Sequence, residues 1–264
     1  MKKMLCHLAW VALCLCEWPA MASNALIGQR SALDTVAEAF KSRVLENIHQ
    51  SLAAVRTLRE RIEARDLPGA QRAWLAAREG WESSEIVTSE YFPDLDRAID
   101  AWPDGERGFH AIEARLFGAH STDALVAAEE LVSNLTELER RLRDTELTAQ
   151  GLLNGLVRLT YEIGEDKAGG GESPFSGNSL AEIGNNVEAI AAAYVKVFSP
   201  SVSRKHAGSA SQVTADIDHL RSLTTAPSLG ALDQTALREV TEDLSADLAA
   251  LGQQLGLEKP ALGN

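Results

Sequence analysis

The sequence is poor in cysteine and aromatic residues and has no long apolar run beyond its first few residues. Its 264 residues include three cysteines, Cys6, Cys14 and Cys16, all at the extreme N-terminal end. From residue 17 onward there is no thiol to form a disulfide, bind a metal through sulfur or act as a nucleophile. Aromatic residues make up 5% of the chain, so a core must be assembled from Leu, Ala, Val and Ile. Basic residues are also short, 25 Lys and Arg against 38 Asp and Glu, for a formal charge of −13. Such a surface repels phosphate, which argues against nucleic acid as a partner. No stretch alternates apolar and polar residues as a half-buried strand would.

Several catalytic motifs are missing as well. The chain has no His-Glu-x-x-His string, and the inverted His-x-x-Glu-His form fails because Ala114 follows Glu113. No Gly-x-Ser-x-Gly marks a serine hydrolase. Gly169-Gly170-Gly171 is not followed by the Lys-Ser/Thr of a phosphate-binding loop. A ferritin-like di-iron centre needs two Glu-x-x-His motifs. Here the His110–Glu113 pair has that spacing in reversed order.

What is present begins with an export signal. Met1-Lys2-Lys3 is a basic lead, residues 4–16 are apolar, and Ala20-Met21-Ala22 fits a small-x-small cleavage site. Residues 1–22 are therefore expected to be a signal peptide and residues 23–264 the working protein. Cleavage there would remove all three cysteines, and no later segment is apolar for long enough to span a membrane. A lipid anchor ranks second, because Leu13 and Leu15 precede Cys14 and Cys16 where a small residue is expected.

The remainder reads as helix after helix. Residues 23–30 look like a polar lead-in. Leu33, Val36, Phe40, Val44, Ile48, Leu52, Val55, Leu58 and Ile62 then recur at three- and four-residue steps, the pattern of a long amphipathic helix. Pro68 opens a second helix carrying Trp74, Trp81, Glu82 and Glu85, with both tryptophans expected in the core. Tyr91-Phe92-Pro93 and Trp102-Pro103-Asp104-Gly105 read as turns, and a helix from about residue 106 should end at Gly118 in the left-handed region. Further helices are expected over about 121–145, 148–165, 179–198, 210–224 and 232–255, with Ser179 and Glu182 as a capping box. About eight helices and no strand make an all-α helical bundle, read as two packed four-helix bundles.

The chemistry concentrates between residues 81 and 118. His110 and Glu113 are three apart and share a helix face, and Glu82 and Glu85 have the same relation one segment earlier. Two such faces brought together would offer an imidazole and several carboxylates to one hard or borderline metal ion. Spacing alone favours the plainer reading, in which these residues form solvated helix faces, His110 caps or packs, and Asp94 and Asp96 serve as turn residues.

A family resemblance then emerges. Gly108-Phe109-His110-Ala111-Ile112-Glu113 resembles the Gly-x-His-x-x-Glu signature of the imelysin-like family, which includes periplasmic iron-uptake components of the EfeO/EfeM type. Trp81-Glu82-x-x-Glu85, Phe92-Pro93-Asp94-Leu95-Asp96, the block from Glu162 and Lys167 to Glu172, and Asn185-Asn186-Val187-Glu188 are similar to further family segments. The resemblance runs over about residues 35–200 in consistent order. It implies a helical bundle binding a metal through His110 and Glu113 with Glu82 and Asp96. Glu85 is a further candidate ligand and Glu172 a weaker one. The sequence is similar to the short form, without a cupredoxin-like domain, and the family's Gly-Glu-Glu is here Gly171-Glu172-Ser173. The function so implied is a non-enzymatic periplasmic protein that binds iron and presents it to an inner-membrane permease. Zinc, copper or manganese would suit the same ligand types. The alternatives are a metallopeptidase, the activity associated with the family name, and a protein-binding module. Affinity should fall as the histidine becomes protonated.

Overall fold

The computed structural model describes residues 18–100, 106–169 and 172–261. Among them every regular element is helical, in an all-α architecture. The Trp102–Gly105 turn, the middle of the glycine run and residues 1–17 of the expected signal peptide lie outside the described residues.

Helix α1 runs from Trp18 to Glu63, starting well before the expected residue 33. Nothing in residues 20–32 forbids it, since the stretch lacks proline after Pro19 and holds a single glycine, Gly28. From Leu33 onward its apolar stripe is buried with one exception, as Val36 is exposed and Ala37 takes the inward position. Arg65, at φ 57°, turns the chain out of α1. Asp66 then caps α2 (Leu67–Glu82) through its side chain, which accepts from Gly69 N at 3.0 Å.

The structure has ten α-helices among its described residues rather than the expected eight, because the stretch after α2 is broken more finely. Ser83 and Ser84 end α2, and the Ser84 hydroxyl donates back to Gly80 O at 2.8 Å. Two short helices follow, α3 (Glu85–Tyr91) and α4 (Pro93–Ile99), the latter started by Pro93. Asp94 and Asp96 thus sit in the first turn of a helix, where carboxylates favour the positive end of the dipole.

Helix α5 (Gly108–Glu113) passes directly into a π turn over Ala114–Gly118. Gly108 has φ 62°, and a Cβ there would strike the Ile99 carbonyl, so only glycine lets α5 start against the end of α4. Gly118 is not left-handed as expected; His120 takes that role at φ 51°. The smallness of Gly118 serves another purpose, because a Cβ would run into the Phe175 ring.

The remaining helices are α6 (Leu125–Asp144), α7 (Ala149–Glu165), α8 (Ser179–Ala193, continued by a π turn over Tyr194–Phe198), α9 (Ala207–Leu223) and α10 (Gln234–Gln254). Packing divides them into two groups. One is built on α1 against α2 and α6, with α4 and α5 laid against α6. The other is built on α7 against α10, with α9 on α10 and α8 beside α7. The groups share one continuous apolar core, and α3, packed on α7, and α2, packed on α8, join them. That junction is where the charged residues gather.

Candidate metal centre

The centre is built around Arg78, a guanidinium with no solvent exposure near the end of α2. Its Nε donates to Glu182 Oε1 of α8 at 2.9 Å. Its two terminal nitrogens pair with Glu82 and Asp100, and Glu172 Oε1 lies 3.7 Å away. The cation also sits 5.8 Å from the Trp74 ring centre and 5.2 Å from that of Phe109. Both tryptophans are buried as expected, and each indole N–H has a partner. Trp74 donates to Phe109 O at 3.0 Å, and Trp81 donates to Asp100 Oδ1 at 3.1 Å. Trp81 is therefore more than core packing, since it orients one of the carboxylates.

Next to Arg78 lies Lys167, in the 3-10 turn Lys167–Gly169 after α7. Its ammonium is 2.9 Å from Glu82 Oε2, 2.7 Å from Glu85 Oε2 and 2.8 Å from Glu172 Oε1. Asn186 of α8 donates to Glu82 Oε2 at 3.0 Å and to Glu85 Oε2 at 2.9 Å. One oxygen each from Glu82, Glu85 and Asp100 lie within 4.8 Å of one another. Glu172 is 4% exposed, and its Oε2 has no hydrogen-bond partner. A cavity of about 170 Å³ opens beside these groups, lined by Glu85, Asp96, Asp100, Glu162, Asp166, Lys167 and Glu172.

The residues singled out from the sequence fall into two groups. Glu82 and Glu85 meet at the cluster, and Asp96 lines its cavity, with its Oδ1 accepting from Thr88 Oγ1 at 2.8 Å. His110 reaches the cluster through Asp100, Nε2 to Oδ2 at 3.4 Å, while its Nδ1 lies 3.5 Å from Glu113 Oε2. Glu113 faces the other way. Its Oε1 accepts from Ser176 N at 2.8 Å, Ser176 Oγ at 2.8 Å and Phe175 N at 3.2 Å, so it pins the loop that carries Glu172. Ser179 and Glu182 do not form the expected capping box. The Ser179 hydroxyl accepts from Ser173 N, and Glu182 is drawn inward to Arg78.

Sequence reasoning missed Asp100, Arg78 and Glu182 as members of the site. Asp100 was findable, because it stands four residues after Asp96 and so shares a helix face with it. Arg78 stands in the same relation to Glu82. Glu182 carried no local signal.

The electrostatics separate the carboxylates into two kinds. Burial alone would raise Glu82, but Arg78 and Lys167 prevail and hold it below its usual range. Asp100 is treated likewise, with Arg78 and then His110 outweighing burial. Glu85 moves the other way, pushed well up by burial and by the Glu82 charge. Burial, with Glu82 and Asp100 nearby, lifts Glu172 to about 8 despite Lys167, and burial with Asp100 lifts Asp96 to about 7. Glu85, Asp96 and Glu172 therefore hold protons more readily than free carboxyls do, and an incoming cation would compete with those protons.

His110 is raised to about 9, because its bonds to Asp100 and Glu113 outweigh the burial that would lower it. A histidine that binds its proton more tightly when folded stabilises the fold fully below its unfolded value near 6.5, and that gain fades as pH rises through about 9. Asp96 and Glu172 act in the same direction, since their raised values penalise the folded state once they must ionise. The ion-free protein should therefore lose several kcal/mol of stability between about pH 6 and 9.5. Urea unfolding along that range checks it, and His110→Gln should remove part of the slope. A flat or rising profile would contradict this charge assignment.

The family model described as Imelysin, peptidase M75, matches residues 37–256. An iron uptake system component EfeM of Pseudomonas syringae pv. syringae is 26% identical over 239 residues, covering 83% of each chain. An EfeM/EfeO family lipoprotein of Staphylococcus aureus is 26% identical over 211 residues, covering 74% of this chain and 72% of its own. In fold, the chain is similar to an iron-regulated protein A precursor from Parabacteroides distasonis, with TM-score 0.68, 18% identity, and coverage of 86% of this chain and 95% of that one. The family match takes in both helical groups and every residue of the buried cluster, and on that extent the chain belongs to the imelysin family, with EfeM/EfeO-type proteins among its relatives.

Proposed function

We propose that this chain is an exported, non-enzymatic component of iron uptake that holds an iron ion at the junction of α2, α3 and α4 and passes it to a permease of the inner membrane. The observation that carries the reading is the convergence of Glu82, Glu85 and Asp100 oxygens within 4.8 Å, beside a cavity into which Glu172 brings an unpartnered buried oxygen. Asp96 would join from the cavity wall, and His110 would contribute its imidazole next to Asp100. Glu113 holds the loop that positions Glu172. A set dominated by carboxylate oxygen suits iron and manganese better than a soft ion, though zinc or copper could enter the same ligands. The EfeM and EfeM/EfeO names of the relatives support iron as the cargo, and the lipoprotein name among them supports export. Among the described residues no helix is long and apolar enough to cross a membrane, which fits a protein that works beside a permease. A periplasmic location follows from the expected signal peptide.

A metallopeptidase is the second reading, favoured by the peptidase name of the family model. The cavity weighs against it. Its volume of about 170 Å³ is below the ~300 Å³ at which small-molecule sites begin, and a peptide needs more.

The test is anaerobic calorimetric titration of ferrous ion, with manganese and zinc in parallel, into the protein lacking residues 1–22. One ion per chain should bind, with a heat that varies with the buffer because protons are released. Absence of binding for every ion would refute the reading. Ion-dependent peptide hydrolysis would promote the peptidase instead.

A further inference from the structure

Lys167 stands where a bound cation would have to stand. Its ammonium is within 2.9 Å of Glu82 and Glu85, two of the three carboxylates that converge, and 2.8 Å from Glu172. An ammonium and a metal ion cannot share those oxygens at close range, since like charges repel strongly where water is scarce. The geometry points to Lys167 as a tethered competitor of the metal, filling the empty site and leaving when an ion arrives, so that its departure sets the site's affinity. This inference rests on the metal-binding reading above.

Two features make Lys167 the cation that moves. Arg78 cannot, because it is enclosed by Glu82, Asp100 and Glu182 and by the rings of Trp74 and Phe109. Lys167 instead lines the open cavity, and its flexible four-carbon stem can swing without any change in the backbone. The cavity also supplies a destination. Asp166, exposed, and Glu162, half-buried and 3.3 Å from Arg158 Nε, also line it, so a displaced ammonium would exchange one set of carboxylates for another. The carboxylates of the empty site meanwhile stay compensated, which keeps it from repelling itself before loading. Monovalent ions gain little by displacing a cation of equal charge, so the arrangement selects ions of charge two or more.

A lysine that merely neutralises a structural cluster would behave differently, and two measurements separate the cases. Lys167→Met removes the competitor, so ferrous or manganous ion should bind at least about tenfold more tightly at pH 8, where protons compete less. A purely structural lysine would give unchanged or weaker binding. The second measurement uses the unaltered protein and is independent of whether the variant folds. Brief acylation with acetic anhydride, read by peptide mass spectrometry, should modify Lys167 slowly in the ion-free protein, where it is 5% exposed and held by three carboxylates. Saturating manganese should speed that modification several-fold. Labelling that is unchanged or slower with the ion bound overturns the proposal, whatever the variant shows. An unaltered protein that takes up no ion at all would refute the metal-binding reading itself, which is a separate failure.

Discussion

Arg78→Met should destabilise the protein by about 3–5 kcal/mol at pH 7, the range for breaking a buried charge network from one side. The guanidinium is wholly buried and pairs with Glu82, Asp100 and Glu182 at once. Methionine restores much of the volume and none of the charge, so the loss would be electrostatic rather than a cavity effect. The deserted carboxylates would then take up protons, because burial raises them once Arg78 no longer holds them down. The penalty should accordingly shrink at pH 5, where protons can replace the missing cation. Arg78→Lys should recover only part of the loss, since a single ammonium cannot present donors along the three directions the guanidinium serves. Urea unfolding at the two pH values decides the matter. A loss under about 1 kcal/mol at pH 7 would mean that the cluster does not depend on its central cation.

The helices were legible in the sequence because each carries its own period. Leu131, Leu135, Leu138 and Leu142 on α6, and Leu152, Leu156, Leu159 and Ile163 on α7, are all buried as their spacing requires. Among the end signals, Pro68 opens α2 as expected, whereas Pro93, read as part of a turn, instead opens α4. The extra helices arose where a short polar break, Ser83-Ser84, divides a stretch whose apolar pattern continues across it. Seven residues of helix give barely two turns of period, too few to separate α3 from the end of α2.

The site was legible in part. Glu82, Glu85 and His110 stood out because pairs three apart on a helix can be read directly. What could not be read were the pairings that complete the centre. Lys167 is 85 positions from Glu82, and Glu182 is 104 positions from Arg78, so only the packing of α8 and the turn after α7 against α2 brings them together. Sequence spacing is blind to this, and it also hides the division of labour within His110-x-x-Glu113. The first residue of that pair turns toward Asp100 and the second toward the loop at Ser176.

That division gives the second large effect. Glu85→Gln should weaken ion binding by about 100-fold or more, exceeding the 10–100-fold typical of residues that only support a ligand. The substitution keeps shape and removes one charge. It should leave the ion-free protein as stable as before or slightly more stable, because burial and the neighbouring Glu82 charge already disfavour the ionised Glu85 carboxyl. Lower affinity joined to equal or higher stability is the signature of a residue kept for binding rather than for folding. Glu172→Gln should follow the same pattern, since its raised carboxyl also faces the cavity. Asp100→Asn should lose both affinity and stability, because Asp100 additionally pairs with Arg78 and accepts from Trp81. Glu113→Gln should be milder in affinity, about tenfold, acting through the loop it anchors by Ser176 and Phe175. Calorimetric titration with ferrous and manganous ions, paired with urea unfolding of each ion-free variant, separates these outcomes. Unchanged affinity in Glu85→Gln would remove the cluster from ion binding and return the assignment to His110 and Glu113 alone.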